Sequence, residues 1–167
     1  MAIGCELGGG LSLSCNYEVS GIDRIYIGNH GDFSYAKNSG GTVTGITATS
    51  GATFYAFDFY ENSAIGSSSL QIGSNQSRFL NQTFVFSTNV SDAAGIEVID
   101  QLGLAKVDVI AVTKEGTVEL FGETGGLRAS ALEGSTGGAA GEGGFTITLL
   151  GQAKSNKTYV ESESIIP

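Results

Sequence analysis

Hydrophobic and polar residues alternate along most of the chain, in short runs that turn-forming residues separate. In residues 23–29, Ile25 and Ile27 fall on one face of an extended chain, while Arg24 and Tyr26 fall on the other. This period of two is the pattern of a β-strand that is buried on one side. The same criteria predict further strands at residues 42–49, 53–61, 68–72, 80–88, 106–113, 117–122, 127–132 and 145–150.

The predicted strand at residues 53–61 carries large apolar side chains on both faces. Tyr55 and Phe57 lie on one face, whereas Phe54 and Tyr60 lie on the other. Two arrangements would cover both faces: a contact with another subunit, or a central position in a sandwich within one molecule. Both interpretations fit the pattern.

One segment departs from the alternation and predicts a short amphipathic helix at about residues 92–103. Ser91 and Asp92 provide an N-cap and a negative charge at the positive end of the helix dipole. Apolar residues then recur at intervals of three: Ile96, Ile99 and Leu102. Gly103 is expected to end the helix, whose apolar side would pack on a sheet.

Glycine accounts for 26 residues and proline for only one, so glycine is the main turn former. Two glycine-rich stretches are longer than a turn requires: residues 1–20 are expected to form a flexible arm, and residues 134–144 a flexible loop. Polar residues 153–167 are expected to form a tail. The chain is thus predicted to be mainly β, an antiparallel β-sandwich or barrel at residues 21–152 with one flanking short helix and extended loops.

Acidic residues outnumber basic residues 17 to 8, which gives a net charge of −9. The basic residues are scattered, so the sequence offers no basic surface of the kind that binds nucleic acids. No signal peptide is visible, and no apolar stretch approaches the roughly 18–20 residues that span a bilayer. These features predict a protein that is made and assembled in a cytoplasm, without a membrane span.

Few residues are suited to catalysis or metal binding. The single histidine, His30, has Asp32 close by in sequence, but no serine lies in a G-x-S-x-G context, and His30 is predicted to be an exposed turn residue. Cys5 and Cys15 are expected to be free thiols, with a small disulfide loop or half a metal site as the alternatives. No phosphate-binding or calcium-binding loop motif occurs. The sequence therefore predicts no catalytic site, no metal site and no cofactor.

Several segments, in order along the chain, resemble tail tube proteins of tailed bacteriophages. The similarity is greatest to small virion structural proteins of phages that infect Bacteroidetes-like hosts. The similar segments are GLSLSC (10–15), GIDRIYIGN (21–29), VTGITATSGATFYAFDFYE (43–61), FLNQTFVFSTN (79–89), VIAVTKEGTVELFGETGGL (109–127) and TGGAAGEGGFTITLLGQ (136–152). The resemblance does not explain the two cysteines.

The resemblance implies a β-sandwich or barrel whose copies form hexameric rings that stack into a hollow tube. Such a tube conducts DNA through its lumen without binding it specifically, and its subunit performs no chemistry. The implied partners are further copies of the chain and other tail proteins. The implied location is the tail of the virion, after assembly in the bacterial cytoplasm.

Two sets of residues are predicted to make the assembly contacts. Tyr55, Phe57 and Tyr60 are expected to act within a ring. Glycines of the long loop are expected to act between rings: Gly134, Gly137, Gly138, Gly141 and Gly143. Two other functions stay open: a capsid decoration or other virion structural protein, and a carbohydrate-binding β-sandwich in which exposed tyrosines such as Tyr26 stack on sugars.

Overall fold

A computed structural model describes residues 21–49, 51–89, 92–135 and 144–167. The strands of this part are β1 (Ile22–Asn29), β2 (Phe33–Lys37), β3 (Val43–Ala48), β4 (Tyr55–Phe57), β5 (Ile65–Ile72), β6 (Arg78–Thr88), β7 (Lys106–Thr113), β8 (Val118–Phe121), β9 (Leu127–Ser135), β10 (Gly144–Ala153) and β11 (Thr158–Val160). The helix α1 (Ala93–Leu104) lies between β6 and β7, and a 3-10 helix (Glu163–Ile165) follows β11. The prediction of a mainly β fold with one short flanking helix is confirmed.

The strands form one sheet that branches at β7. On one side of β7 lie β1 and then β4. On the other side, β9 pairs with Lys106 and Val107, while β8 pairs with residues 109–112. The sheet continues from β8 through β11 and β3 to β2, and from β9 through β10 and β6 to β5. Neighbouring strands are antiparallel except β3 and β11, which pair in parallel, so two layers extend from a shared central strand.

β7 is buried on both faces and separates two hydrophobic cores. Val107, Val109 and Ala111 belong to the first core, with residues of β1, β6, β10 and α1. Ile110 and Val112 belong to the second core, with residues of β2, β3, β8 and β11. The alternation in the sequence of β7 therefore assigns its side chains to two different cores, and each fully buried aliphatic or aromatic side chain stabilises the fold by about 1.5–3 kcal/mol.

The helix packs on the first core through two of the three side chains that the apolar spacing indicates. Ile99 and Leu102 are buried, whereas Ile96 is exposed. The N-cap is Asp92, whose carboxylate accepts a hydrogen bond of 2.8 Å from the backbone N–H of Gly95. The side chain thus satisfies one of the helix N–H groups that have no partner within the helix.

The predicted strand at residues 53–61 is much shorter in the structure, where only β4 is extended and paired. Before β4, the backbone N–H of Phe54 donates to the carbonyl of Pro167 at 3.2 Å; after it, the backbone N–H of Tyr60 donates to the carbonyl of Ser87 at 2.8 Å. These bonds connect the two ends of the segment to Pro167 and Ser87, which lie outside β1, so the ends do not extend the strand. In the described residues β4 pairs only with β1, and the segment places Phe54 in the second core and Phe57 against the first.

Two strands were missed by the sequence patterns. β2 lies in what was expected to be a connection, and β11 lies within the predicted tail, so the strand predicted at residues 145–150 is not the last one. Val160 of β11 is buried in the second core, and Ile165 and Ile166 pack against that core. Strands of three to five residues offer too few positions for a clear alternation, and their burial depends on contacts that are distant in sequence.

Candidate functional site

The residues predicted to act within a ring lie on or beside β4, a strand with one unpaired edge in the described part of the chain. Tyr55 is 58% exposed and Tyr60 is 44% exposed. Phe57 instead packs against the first core, with its ring edge-on to Phe86 at a centroid distance of 6.2 Å. Tyr55 and Tyr60 are therefore placed at the surface, whereas Phe57 contributes to the fold.

An open cleft of about 710 Å³ lies between β4 and α1. Tyr55, Ala56 and Phe57 line one side, and Val98 and Leu102 of the helix line the other. The backbone N–H and C=O groups on the free edge of a strand are a template for a further strand. The cleft is also lined by Ile27 of β1 and Val107 of β7, so it lies between the helix and the sheet face that β4 extends, next to the strand edge to which an extended segment could add.

Two further strands, β2 and β5, have one edge that is unpaired along its whole length among the described residues. β5 is the longer, with eight residues against five. It exposes three large aliphatic side chains: Ile65, Leu70 and Ile72. The fold therefore presents more than one edge to which a strand could add.

The glycines predicted to act between rings are divided between a hairpin and a segment outside the described residues. Gly134 lies in β9 opposite Phe145 of β10. A Cβ atom at position 134 would come within 2.7 Å of the Phe145 ring, so this glycine makes room for a packed ring and is not part of a loop. Gly144, at the end of the predicted loop, begins β10. Gly137, Gly138, Gly141 and Gly143 lie outside the described residues, and their role between rings stays a prediction.

A buried polar cluster lies near the start of β7. The Asp108 side chain is 1% exposed; it accepts a 2.6 Å hydrogen bond from the Tyr35 hydroxyl and lies 2.7 Å from Nδ1 of His30. The backbone N–H of His30 donates to the carbonyl of Lys106 at 2.9 Å, which fixes the turn after β1 against β7. The cluster thus joins β1, β2 and β7.

His30 lies in a turn, as predicted, but it is not an exposed residue. Its side chain is only 23% exposed, and its partner is Asp108. A Cβ atom on Gly126 would come within 2.9 Å of the His30 ring. A larger residue at position 126 would collide with the His30 ring, so this glycine lets the imidazole lie against the chain at that point. The sequence signal for this pairing is weak, since it depends on the register in which Gly28 of β1 lies opposite Asp108.

Burial raises the pKa of the Asp108 carboxyl above its ordinary value, and the hydrogen bonds from Tyr35 and His30 oppose part of that rise. Burial also raises the pKa of the Tyr35 hydroxyl, and the charge of Asp108 acts in the same direction. Tyr35 is therefore a permanent donor to Asp108. Glu123 adds negative charge nearby and forms an ion pair of 2.6 Å with Lys37.

A histidine held by a buried aspartate is also part of the arrangement that activates a nucleophile in hydrolases. Among the hydrogen bonds of the described residues, none joins His30 to a serine or threonine hydroxyl. Nor does this part of the chain contain a group of three or more His, Cys, Asp or Glu side chains that could hold a metal ion. The contacts of the cluster therefore support a structural role in joining the strands.

We expect low pH to stabilise the wild-type protein relative to the Asp108→Asn variant. Because the pKa of Asp108 is raised in the folded state above the value of about 3.9 in an unfolded chain, folding favours the protonated carboxyl. This stabilisation is fully present below the unfolded pKa and is lost as pH rises through the folded pKa. The free energy of unfolding of wild type minus that of the variant, from urea titrations at several pH values, should therefore fall as pH rises from about 4.

The comparison removes one titrating carboxyl and keeps every other titrating group, so it reports on Asp108 together with its contact to His30. A difference that increases with pH would contradict the expectation. It would mean that the hydrogen bonds from Tyr35 and His30 stabilise the carboxylate more than burial destabilises it.

Comparisons of the sequence with models of known protein families and with curated proteins found no match. In residues 21–49, 51–89, 92–135 and 144–167, no helix has the length and apolar character needed to cross a bilayer.

Proposed function

We propose that this protein is a structural subunit that assembles with copies of itself into stacked rings, which form the tail tube of a bacteriophage. The observation that carries the proposal is the free edge of β4, with the exposed Tyr55 beside a cleft of about 710 Å³. The geometry supports self-association through a strand edge. The resemblance to tail tube proteins supports the identity of the assembly, including its hexameric rings.

A strand from a neighbouring subunit would add to β4 and fill the cleft in front of α1. Because β4 has only three residues and each hydrogen bond contributes about 0.5–1.5 kcal/mol net, backbone pairing alone would give a weak contact. Apolar burial must supply the rest, and Tyr55 of β4 and Val98 of the helix are exposed at this cleft. Their burial against a neighbour would stabilise the contact by about 25 cal/mol per Å² of apolar surface.

Rings form when the two surfaces that meet are different and the rotation between neighbours closes. The β4 edge would therefore meet another region of the neighbouring subunit, not a second β4. Copies joined in this way close into a ring, and rings that stack on one another form a tube. In this proposal the partners of the chain are itself and other tail proteins, and the assembly belongs to the virion.

The charge of the chain suits a conduit for DNA. A net charge of −9 per subunit gives a ring of six copies a strongly acidic surface, which repels phosphates and releases no counterions from DNA. DNA would then pass through the lumen without being bound. The protein would act through assembly alone, with no cofactor.

The assembly itself is the test of the proposal. The full chain, expressed alone, is expected to form hollow rings or filaments in negative-stain electron microscopy, with a matching mass from light scattering. The result is measured over a range of concentrations, because assembly is a mass-action equilibrium. A protein that stays monomeric or forms only trimers at every concentration would overturn the proposal.

A further inference from the structure

The part of the sheet formed by β5, β6, β10 and β9 has one side in the first core and one side that points away from it. Phe84 of β6 and Leu149 of β10 lie opposite each other and are buried in that core. Because side chains alternate along a strand, the odd-numbered residues of β6 and the even-numbered residues of β10 point away from the core. The hydroxyls of Ser87 and Thr146, an opposite pair on this second side, lie 3.1 Å apart, in agreement with this assignment.

The side of β5, β6 and β10 that points away from the core has no charged residue. β5 and β10, with eight and ten residues, contain none at all, and β6, with eleven, contains only the even-numbered Arg78. Surfaces designed to stay in water have about 25–35% charged residues, and this chain has a net charge of −9. The centre of a protein interface, in contrast, is depleted in charged residues. We call this side of the three strands the uncharged face.

Apolar side chains lie on the uncharged face. Ile65 of β5, Val85 of β6 and Thr148 of β10 form one row across the strands. Ile65 is 60% exposed, and Leu150, two residues further along β10, is 40% exposed. Contact with another surface would remove this apolar area from water, which is favourable.

Charged residues return at the border of the uncharged face, on β9. Arg128 lies opposite Leu150 of β10, and Glu133 lies opposite Thr146. Both charged side chains are exposed, and the ion pairs of the described residues include neither of them. The exposed Ala131 lies between the two. A polar rim around an uncharged centre is the usual composition of an interface.

The positions of the two charges favour one symmetric arrangement of two copies. The row of Ala131 and Thr148 lies midway between the rows of Arg128 and Glu133. A two-fold axis that crosses the strands along this middle row reverses β9, so Arg128 of one copy lies over Glu133 of the other, and the symmetry forms the pair twice. A two-fold axis parallel to the strands would instead place β9 over β5, which has no charged residue.

The overlap in this arrangement is that of a small interface. β6, β9 and β10 lie over their own counterparts for about eight residues, which gives an area of roughly 14 Å by 26 Å, or about 400 Å² per copy. Interfaces of standard size bury about 800 Å² per partner. The contact alone would therefore give a weak dimer, and it becomes stronger where other contacts already hold the copies together.

We propose that the uncharged face binds the same face of a second copy about this two-fold axis, with Arg128 of each copy paired to Glu133 of the other. A second copy suits the face because two molecules of net charge −9 repel each other least where neither carries charge. The contact uses other residues than the β4 edge and does not rest on the tail tube proposal. Where rings also form, it joins them in pairs.

Cross-linking of a cysteine to its own counterpart tests the position of the axis. In the full chain with Cys5→Ser and Cys15→Ser, one cysteine is introduced at Ala131, on the axis, or at Gln152, an exposed residue of the same face. Facing sheets lie about 10 Å apart, so a short bis-maleimide joins two copies at position 131. Since the two copies of position 152 are about 26 Å apart along the strands, we expect at least about ten-fold more covalent dimer from Ala131→Cys than from Gln152→Cys.

Exchange of the two charges tests the pairing with the same readout. Arg128→Glu in the Ala131→Cys chain brings like charges together twice per dimer, so the yield of covalent dimer should fall at least about five-fold. Addition of Glu133→Arg recreates both pairs with their signs exchanged and should restore the yield to within about two-fold of the starting chain. Circular dichroism checks that every chain is folded.

Equal yields from Ala131→Cys and Gln152→Cys would overturn the two-fold arrangement. The absence of covalent dimer from either chain would overturn the contact itself. A double charge variant that gives no more dimer than Arg128→Glu alone would overturn the pairing of Arg128 with Glu133.

Discussion

Replacing Asp108 by alanine should lower the free energy of unfolding by about 2–4 kcal/mol. The carboxylate is the acceptor for the Tyr35 hydroxyl and for His30, and its side chain is 1% exposed. Without it, the Tyr35 hydroxyl keeps its proton in a partly buried position and loses its acceptor, which costs about 1–3 kcal/mol. The partly exposed His30 contributes less, because water can reach it. Urea unfolding followed by circular dichroism measures the change.

Asp32→Ala is the matched control, because Asp32 is the acidic residue that lies close to His30 in sequence. Its backbone N–H bonds to Asn29 and its carbonyl accepts from Thr49, and both bonds survive the substitution. We expect this variant to lie within about 0.5 kcal/mol of wild type. Equal losses for the two variants, or no loss for Asp108→Ala, would show that the cluster does not hold the strands together.

This cluster shows where sequence patterns fail. The alternation of β7 places Asp108 on the same face as Ile110 and Val112, among residues of the second core. Which groups meet that carboxylate depends on the pairing of β1 with β7 and on the position of β2. The sequence around Asp108 specifies neither this strand pairing nor the position of β2. A search for acidic residues near His30 in sequence therefore finds Asp32. In the structure the partner of His30 is Asp108, which is 78 positions away.

The predictable part of the fold consists of its longer, regular elements. β1, β6, β7 and α1 each have enough residues for a period of two or of three to four to emerge. β4 and β11 have three residues each, and contacts made elsewhere in the chain decide their extent. The exposed edge at Tyr55 could not be predicted for the same reason. A segment with apolar residues on both faces has the same sequence pattern whether a core or a neighbouring subunit covers those faces.

Lysine at position 55 should prevent ring formation and leave the fold intact. Tyr55 is 58% exposed on the free edge of β4, so its loss costs the monomer little. In an assembly that pairs another strand with this edge, the same position becomes buried, and an ammonium group without a partner is costly there. A cost of about 2.7 kcal/mol per contact lowers the association constant about 100-fold. Light scattering and electron microscopy at the concentration that assembles the wild type measure the effect.

Tyr159→Lys is the matched control, because it makes the same chemical change at a tyrosine that is 49% exposed on a strand that has a paired neighbour on each side. Tyr159 lies in β11, which β3 and β8 flank on its two sides. We expect this variant to assemble as the wild type does, because a charge on the outer face of an interior strand meets no incoming strand. Assembly of the Tyr55→Lys variant at wild-type concentrations would show that rings form without the β4 edge. If both variants fail to assemble, the loss is not specific to the β4 edge, and the proposed position of the contact is wrong.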